Sequence, residues 1–269
     1  FWQAFGAVLK EGLHMEPEHQ GRIAPLLRYH SSQGEGWSSL QDYVGRMAEG
    51  QDAIYYILGE SQAAAAGSPH LEALRKKGFE VLYMTDPIDE WAVEALGEYE
   101  GKKLVSAMQA DLDLGEGEED KAKKEEASVE LKPLMDRIQA VLGEAIGEVR
   151  LSSRLTDSPA CLVVPEGGQH AYLERLLRSH DPSTSRTKRI LELNGGHPLI
   201  RNLARMVELH PDSPRLVDWI ELLHDQVLLT EGSPVIDPNR LAKRVTVLME
   251  EASEAELGVA PAAEVEAGA

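Results

Sequence analysis

Hydrophobic positions in the first half of the chain change between strand-like and helix-like spacing. Two short runs rich in β-branched and aromatic residues, residues 54–57 and 80–85, stand on either side of a helix-length segment. In that segment Ser68 precedes Pro69, the usual order at a helix start, and Gly78 suits the left-handed residue that ends a helix. The order of strand, helix and strand predicts a βαβ unit with a parallel sheet.

The segments around this unit complete a first domain. Residues 1–30 carry apolar side chains at helical spacing, and a further helix is predicted over residues 89–98. Trp91 falls near the carboxyl end of a strand, where open α/β sheets usually present their functional groups. We therefore predict a small α/β sandwich over residues 37–125, preceded by a helical segment over residues 1–36.

A change in composition separates the two halves of the chain. Residues 111–126 are dominated by Glu, Asp and Lys, and their mixed signs at helical spacing favour a charged helical linker over disorder in the second half of the segment. An amphipathic helix follows, in which Leu131, Leu134 and Ile138 recur at helical spacing. We place the domain boundary between residues 125 and 126.

The second half predicts an α+β domain over residues 126–251. After the amphipathic helix come three strand-like runs and a helix over residues 169–178, and everything after residue 198 has helical spacing. Two long helices close the domain, and their apolar faces are broader than a surface helix of one small domain needs. They either complete the domain core or bury a second face against a twin chain. The candidate interface residues are Leu216, Trp219, Ile220, Leu223, Val227, Leu241, Val245 and Leu248.

The composition narrows the classes of function. The chain of 269 residues has a formal net charge of −19 and a pI near 4.9, which argues against binding to nucleic acid or to an anionic membrane. No apolar run approaches the ~20 residues of a transmembrane helix. The single cysteine, Cys161, lies in an apolar run, so we expect no disulfide and a cytoplasmic location. Residues 252–269, which lack Lys and Arg, are predicted to form a disordered acidic tail.

Few residues form a pattern typical of catalysis. The sequence contains no phosphate-loop, dinucleotide or zinc-protease motif. Asp86, Asp89 and Glu90 are close in sequence; capping of a helix start is the favoured interpretation, and a magnesium-dependent hydrolase is the alternative. Trp91 and one helix face are explained either by ordinary packing or by apolar surface that meets other proteins. That face comprises Tyr172, Leu173, Leu176 and Leu177.

A series of short motifs runs in order along the chain. They are FWQAFG at 1–6, LLRYHSS at 26–32, YVGRM at 43–47, IYYI at 54–57, GES at 59–61, TDPIDE at 85–90, SRLTDSPA at 153–160 and ELN at 192–194. This series resembles the ninety-kilodalton heat-shock chaperone family, most closely in its bacterial form. The resemblance covers residues 1 to about 250, and the number of motifs in the same order makes it specific.

The resemblance implies a homodimeric, ATP-driven chaperone of three domains. Because the chain begins at Phe1 rather than at methionine, we expect a fragment that holds the rear of the middle domain and the carboxyl-terminal dimerisation domain. The nucleotide-binding domain with its ATP and magnesium would be missing, so we expect no cofactor and no ATPase activity in this chain. The expected partners are a second copy of the chain, non-native client proteins and other chaperones. A purely structural dimerisation module is the remaining alternative.

The resemblance also implies where clients bind. Trp91 follows Glu90 at the place where bacterial members contact clients in the middle domain. Leu173, Leu176 and Leu177 match a helix that offers apolar residues to the cleft between protomers, and Tyr172 is a neighbouring candidate. Gln169 stands where relatives carry a large apolar residue, which is a departure from the pattern. The last two helices match the dimer bundle of the family, which favours dimerisation over simple closure of the core.

Overall fold

The computed structural model describes residues 1–110, 112, 114–115, 118–181 and 187–258. The described residues form two small sheets with helices packed on them. We call residues 1–110 the first unit and residues 118–258 the second unit. The predicted mixture of strands and helices is confirmed. In the described ranges, no helix is both long and apolar enough to cross a membrane.

The first unit alternates between helices and strands. In chain order its elements are α1 (Trp2–Met15), α2 (Gln20–Ile23), β1 (His30–Ser31), α3 (Leu40–Arg46), β2 (Ile54–Leu58), α4 (Gln62–Ala66), α5 (Glu72–Lys76), β3 (Val81–Met84), α6 (Asp89–Leu96), β4 (Glu98–Tyr99) and β5 (Lys102–Ser106). The sheet order is β1-β3-β2-β5-β4. β2 is parallel to β3, as predicted, and it is also parallel to β5. Tyr55 lies opposite Val81 on one side and Val105 on the other. β1 and β4 are short antiparallel edge strands that the sequence pattern did not predict.

The connection between β2 and β3 is more broken than the sequence indicated. The predicted single helix consists of α4, a 3₁₀ turn at Pro69–Leu71 and α5. Ser68 caps the 3₁₀ turn, since its hydroxyl accepts a hydrogen bond from the His70 N–H. Gly78 has φ of +72°, the left-handed conformation that the sequence predicted there.

Helices cover both faces of the first sheet. On one face, α1, α3 and α6 pack against Tyr56 and Met84. On the other face, α5 packs against Tyr55 and Ile57, and Val164 from the second unit completes the same hydrophobic cluster. Successive side chains of β2 therefore point into two different hydrophobic clusters, one on each face of the sheet. The cluster that contains Val164 is shared by the two units.

The second unit has a three-stranded sheet under a layer of helices. Its elements are α7 (Glu118–Leu142), β6 (Glu148–Leu151), β7 (Ala160–Val163), α8 (Ala171–His180), β8 (Ile190–Leu193), α9 (Pro198–Leu209), α10 (Pro214–Glu231) and α11 (Pro238–Glu256). The sheet order is β6-β8-β7, with β6 parallel and β7 antiparallel to β8. The predicted boundary at residue 125 falls inside α7, whose buried positions Leu131, Leu134 and Ile138 all belong to the core of the second unit.

The structure corrects part of the predicted dimer interface. Leu216, Ile220, Leu223 and Val227 of α10 are only 0–2% exposed, because α10 packs against α7 and β7 within the same chain. Trp219 is half-buried and packs against the same core. The four buried residues are thus core residues, and their assignment as free interface was wrong.

The last helix, α11, retains an uncovered apolar surface. Val245, Val247 and Met249 are 40%, 50% and 67% exposed, and no residue of α11 is buried. Leu241 and Leu248 are half-buried. The predicted interface positions on α11 therefore remain available, unlike those on α10.

The start of the predicted disordered tail is also corrected. α11 continues to Glu256, so residues 252–256 are helical. Ala and Glu are strong helix formers, and no glycine interrupts them before Gly258, which has φ of +67°. Residues 259–269 lie outside the described residues.

Candidate functional site

The two units meet at the carboxyl ends of the parallel strands of the first sheet. Ala107, Gln109 and Ala110 follow β5, and the guanidinium of Arg154 from the second unit donates hydrogen bonds to their carbonyl oxygens at 2.7, 2.7 and 3.2 Å. The Nε of Arg154 also donates to Glu192 at 2.9 Å, and both side chains are only 2% exposed. The planar guanidinium of Arg154 therefore donates hydrogen bonds to both units, to carbonyl groups of the first and to a carboxylate of the second.

A carboxylate of the first unit makes the reciprocal contact. Glu72 on α5 accepts hydrogen bonds from the backbone N–H groups of Thr156, Asp157 and Ser158 in the second unit. Burial raises its pKa, but the hydrogen bonds from Ser158, Asp157 and Thr156 outweigh burial and lower it from its usual value. Each unit therefore supplies a charged side chain that binds backbone groups of the other unit. Neither contact could be predicted from the sequence.

Glu90 and Trp91 lie at a second point of this junction, in the first turn of α6. Trp91 is half-buried, and it is not among the side chains that pack against the four hydrophobic clusters of the described residues. The Glu90 carboxylate accepts a hydrogen bond from the His170 N–H at 3.2 Å, just before α8. Burial raises the pKa of Glu90 to about 7. The structure thus brings the start of α6 together with the start of α8.

The predicted apolar face of α8 is less exposed than expected. Leu173 is only 8% exposed, so its assignment as an open contact was wrong for this conformation, whereas Leu177 is half-buried. The side chains of Tyr172 and Leu176 lie outside the described residues. Glu174 on the same helix is buried in an ion pair with Arg189, which also binds Glu231. This buried pair draws α8 inward and explains the burial of Leu173.

The three carboxylates proposed as an alternative catalytic site are used structurally. The ammonium of Lys10, which is buried, lies 2.6 Å from Asp86 and 2.7 Å from Asp89. Asp89 also accepts a hydrogen bond from the Asp86 N–H, but the N-cap of α6 is Ile88 and no side chain caps this helix start, so the favoured capping interpretation was wrong in detail. Glu90 faces α8 instead. Within the part of the chain that is described, no cluster of His, Cys, Asp or Glu is placed to hold a metal ion.

Lys10 is a buried charged residue at this site that was not predicted from the sequence. The buried positions of α1 are Gly6, Lys10 and Leu13. Their helical spacing places Lys10 on the inner face, so the signal was present, but an inward lysine needs a carboxylate partner that only the fold supplies. Cys161 is buried as a free thiol, and burial raises the pKa of this thiol above its usual value, which disfavours the reactive thiolate.

The apolar surface of α11 borders a groove of about 250 Å³ between α10 and α11. Trp219 and Leu222 of α10 and Val247 and Leu248 of α11 form its apolar lining. Charged residues surround this lining in ion pairs, of which Arg244 with Asp218 is one. We call these four apolar residues the α10–α11 groove.

Comparison with known proteins identifies the family. The family model described as Hsp90 protein matches residues 1–267. The chain belongs to the Hsp90 family. The resemblance inferred from the ordered motifs is therefore confirmed.

Bacterial relatives match nearly the whole chain. It is 56% identical over 264 residues to the chaperone protein HtpG of Myxococcus xanthus. This alignment covers 97% of the present chain and 40% of that relative. It is 46% identical over 254 residues to the chaperone protein HtpG of Geobacter sulfurreducens, with coverage of 93% and 39%. The chain thus spans about two fifths of the length of these Hsp90 relatives.

Proposed function

We propose that this chain is the client-binding and dimerising part of a molecular chaperone. Its relatives are named chaperones, and the chain matches about two fifths of each. The observation that carries the proposal is uncovered apolar surface on a protein with a formal net charge of −19. Apolar side chains that a chain does not bury itself are typical of surfaces that meet other proteins.

The proposed dimer surface is the exposed face of α11 together with the α10–α11 groove. Val245 lies outside the groove and is 40% exposed, so it is free to meet a second copy. A two-fold arrangement would let the same face pack against itself and would bury the apolar residues of both protomers. The buried residues of α10, Leu216, Ile220, Leu223 and Val227, anchor this helix in the core of the second unit beneath the proposed surface.

The proposed client surface lies at the junction of the two units. Trp91 offers a half-buried aromatic ring, and Leu177 is half-buried on the neighbouring helix α8. Binding would be dispersed and weak per contact, because client proteins in a non-native state share exposed apolar residues rather than a sequence. Acidic groups near these residues would favour positively charged clients.

ATP hydrolysis belongs, in this proposal, to a part of the protein outside this chain. The chain itself then has no ATPase activity and needs neither ATP nor magnesium to bind clients. The cytoplasm as its location and other chaperones as partners are part of the same proposal. The carboxylates Asp86 and Asp89 share the ammonium of Lys10 as a common ion-pair partner, which supports a structural role for both over the rival catalytic one.

Client binding is tested by comparing two tryptophan variants. Trp91→Ala is expected to weaken binding of fluorescently labelled, reduced and carboxymethylated α-lactalbumin, a permanently unfolded protein, by about five- to tenfold. Trp37→Ala is the control, because Trp37 is also a partly exposed tryptophan, 47% exposed, whose ring lies beside those of His30 and Trp2. Fluorescence anisotropy gives the affinities. Equal affinities in both variants would contradict the proposed client surface.

Dimerisation is tested by sedimentation velocity. Val245→Glu places a charge on the exposed face of α11 and is expected to give monomers at concentrations where the unchanged chain is dimeric. Thr246→Glu adds the same charge at an exposed polar neighbour and should leave the dimer intact. A dimer that survives Val245→Glu would show that this face is not the interface. Loss of client binding without loss of the dimer would separate the two activities, and a dimer that binds no client would indicate a purely structural module.

A further inference from the structure

Helix α8 starts without a cap of its own. Its N-cap residue is His170, which has the extended backbone of an N-cap, with φ of −69° and ψ of 153°, but whose side chain makes no capping hydrogen bond. The first N–H groups of a helix have no partner inside the helix, so they must find acceptors elsewhere. The acceptor for this helix comes from the other unit.

Glu90 supplies that acceptor. Its Oε1 accepts a hydrogen bond from the N–H of His170 at 3.2 Å, and the nearby N–H of Leu173 also acts to lower the pKa of the carboxyl group. These residues are the N-cap and the third residue of α8, and their amides are the two that a capping box satisfies. Helix α3 has an ordinary capping box within one segment. The Ser39 side chain accepts a hydrogen bond from the Asp42 N–H, and the Asp42 side chain accepts one from the Ser39 N–H.

The position of Glu90 ties two helix starts together. Glu90 lies in the first turn of α6, and its carboxyl group accepts a hydrogen bond at the start of α8, so one side chain joins the starts of two helices. The other carboxylate oxygen, Oε2, is buried and has no partner among the described residues. Trp91 is the next residue along α6. The first turn of α8 is therefore held against the turn that carries Trp91.

We propose that Glu90 is a positioning residue that caps α8 from the other unit and thereby fixes this helix beside Trp91. The inference rests on the proposed client-binding function for its consequence, but not for its geometry. The family resemblance counts Glu90 among the client-binding residues. In this proposal it acts on clients only through α8.

Hydrogen exchange measured by mass spectrometry tests the cap in the full 269-residue chain. In Glu90→Ala, the amides of residues 170–173 are expected to exchange about five- to tenfold faster than in the unchanged chain, which corresponds to the loss of one cap. Glu90→Gln keeps one acceptor oxygen and should give a smaller increase. Glu94→Ala removes the same charge one turn along α6, where Glu94 is exposed, and should leave α8 unchanged. Unchanged exchange in Glu90→Ala would overturn the proposal.

A rescue variant separates positioning from direct contact. In the Glu90→Ala background, His170→Asn places a good capping side chain at the N-cap of α8 itself. This double variant is expected to recover both the slow exchange of α8 and the affinity for reduced, carboxymethylated α-lactalbumin. Recovery of slow exchange without recovery of affinity would show that Glu90 touches clients directly and would overturn its positioning role. If the unchanged chain does not bind this probe, the proposed function fails, while the exchange data still decide whether Glu90 is the cap.

Discussion

Replacing Arg154 by alanine should be the most damaging single change at the junction of the two units. The change leaves two carbonyl oxygens of the first unit, those of Ala107 and Gln109, without the donor that Arg154 supplies, while the Ala110 oxygen keeps a hydrogen bond from Arg150. It also removes one of the two arginines that neutralise Glu192, which is 2% exposed. Breaking a buried ion pair from one side typically costs about 3–5 kcal/mol. For a chain of this size that free energy corresponds to a decrease in Tm of about 10 °C.

Arg150→Ala is the matched control for this prediction. Arg150 binds the same carboxylate at 2.8 Å and also donates to the carbonyl oxygen of Ala110. Its side chain is 29% exposed, so water can replace it at both places and the expected loss is only about 1 kcal/mol. Urea unfolding followed by circular dichroism measures both variants, and proteolysis between the units reports on the junction itself. If the two variants lose the same stability within about 0.5 kcal/mol, Arg154 is not the main link and the argument from burial is wrong.

Two further predictions follow from burial. Ile220→Asp should unfold the second unit rather than separate a dimer, because Ile220 is 1% exposed in the core of its own chain, and circular dichroism together with sedimentation distinguishes the two outcomes. Burial also lowers the pKa of His70 to about 3 and that of His170 to about 4, so the folded state keeps both neutral. The stability they contribute is present above their unfolded pKa near 6.5 and is lost as pH falls below it, by up to about 1.4 kcal/mol per pH unit for each histidine. Glu90, with its pKa raised to about 7, acts in the opposite sense and loses its stabilising contribution as pH rises through 7. Urea unfolding from pH 7 to pH 5 should therefore show a decrease in stability that is smaller in His70→Asn; an equal decrease would contradict the assignment.

Local pattern correctly predicted the strands β2 and β3 and the start of α6. The runs at β2 and β3 have a composition that suits a buried parallel sheet, and Gly78 has the conformation expected of it. The edge strands β1 and β4 escaped prediction because two residues carry no readable period. The length of α11 was underestimated because an Ala- and Glu-rich segment can continue a helix as well as end in disorder.

Which neighbour covers an apolar face could not be predicted from the sequence. The pattern on α10 correctly indicates apolar residues on more than one side, but α7 and β7, which cover Ile220, come from distant parts of the chain. The same limit applies to Leu173, which is buried on α8, a helix whose contact with Glu90 joins residues 80 positions apart in the chain. Sequence can show that a helix is amphipathic, whereas its partner is a property of the tertiary structure.

The buried arginine at the junction has a consequence for how the chain can be divided. In open α/β proteins the strand ends of the parallel sheet are left free for small ligands. Here, the carbonyl groups beyond β5 are already saturated by Arg154, and Val164 fills a gap in the cluster beneath. A truncation at residue 110 would leave these carbonyl groups without their donor and would expose the hydrophobic cluster that Val164 covers. We therefore expect the shortened chain to aggregate rather than to fold as an independent domain.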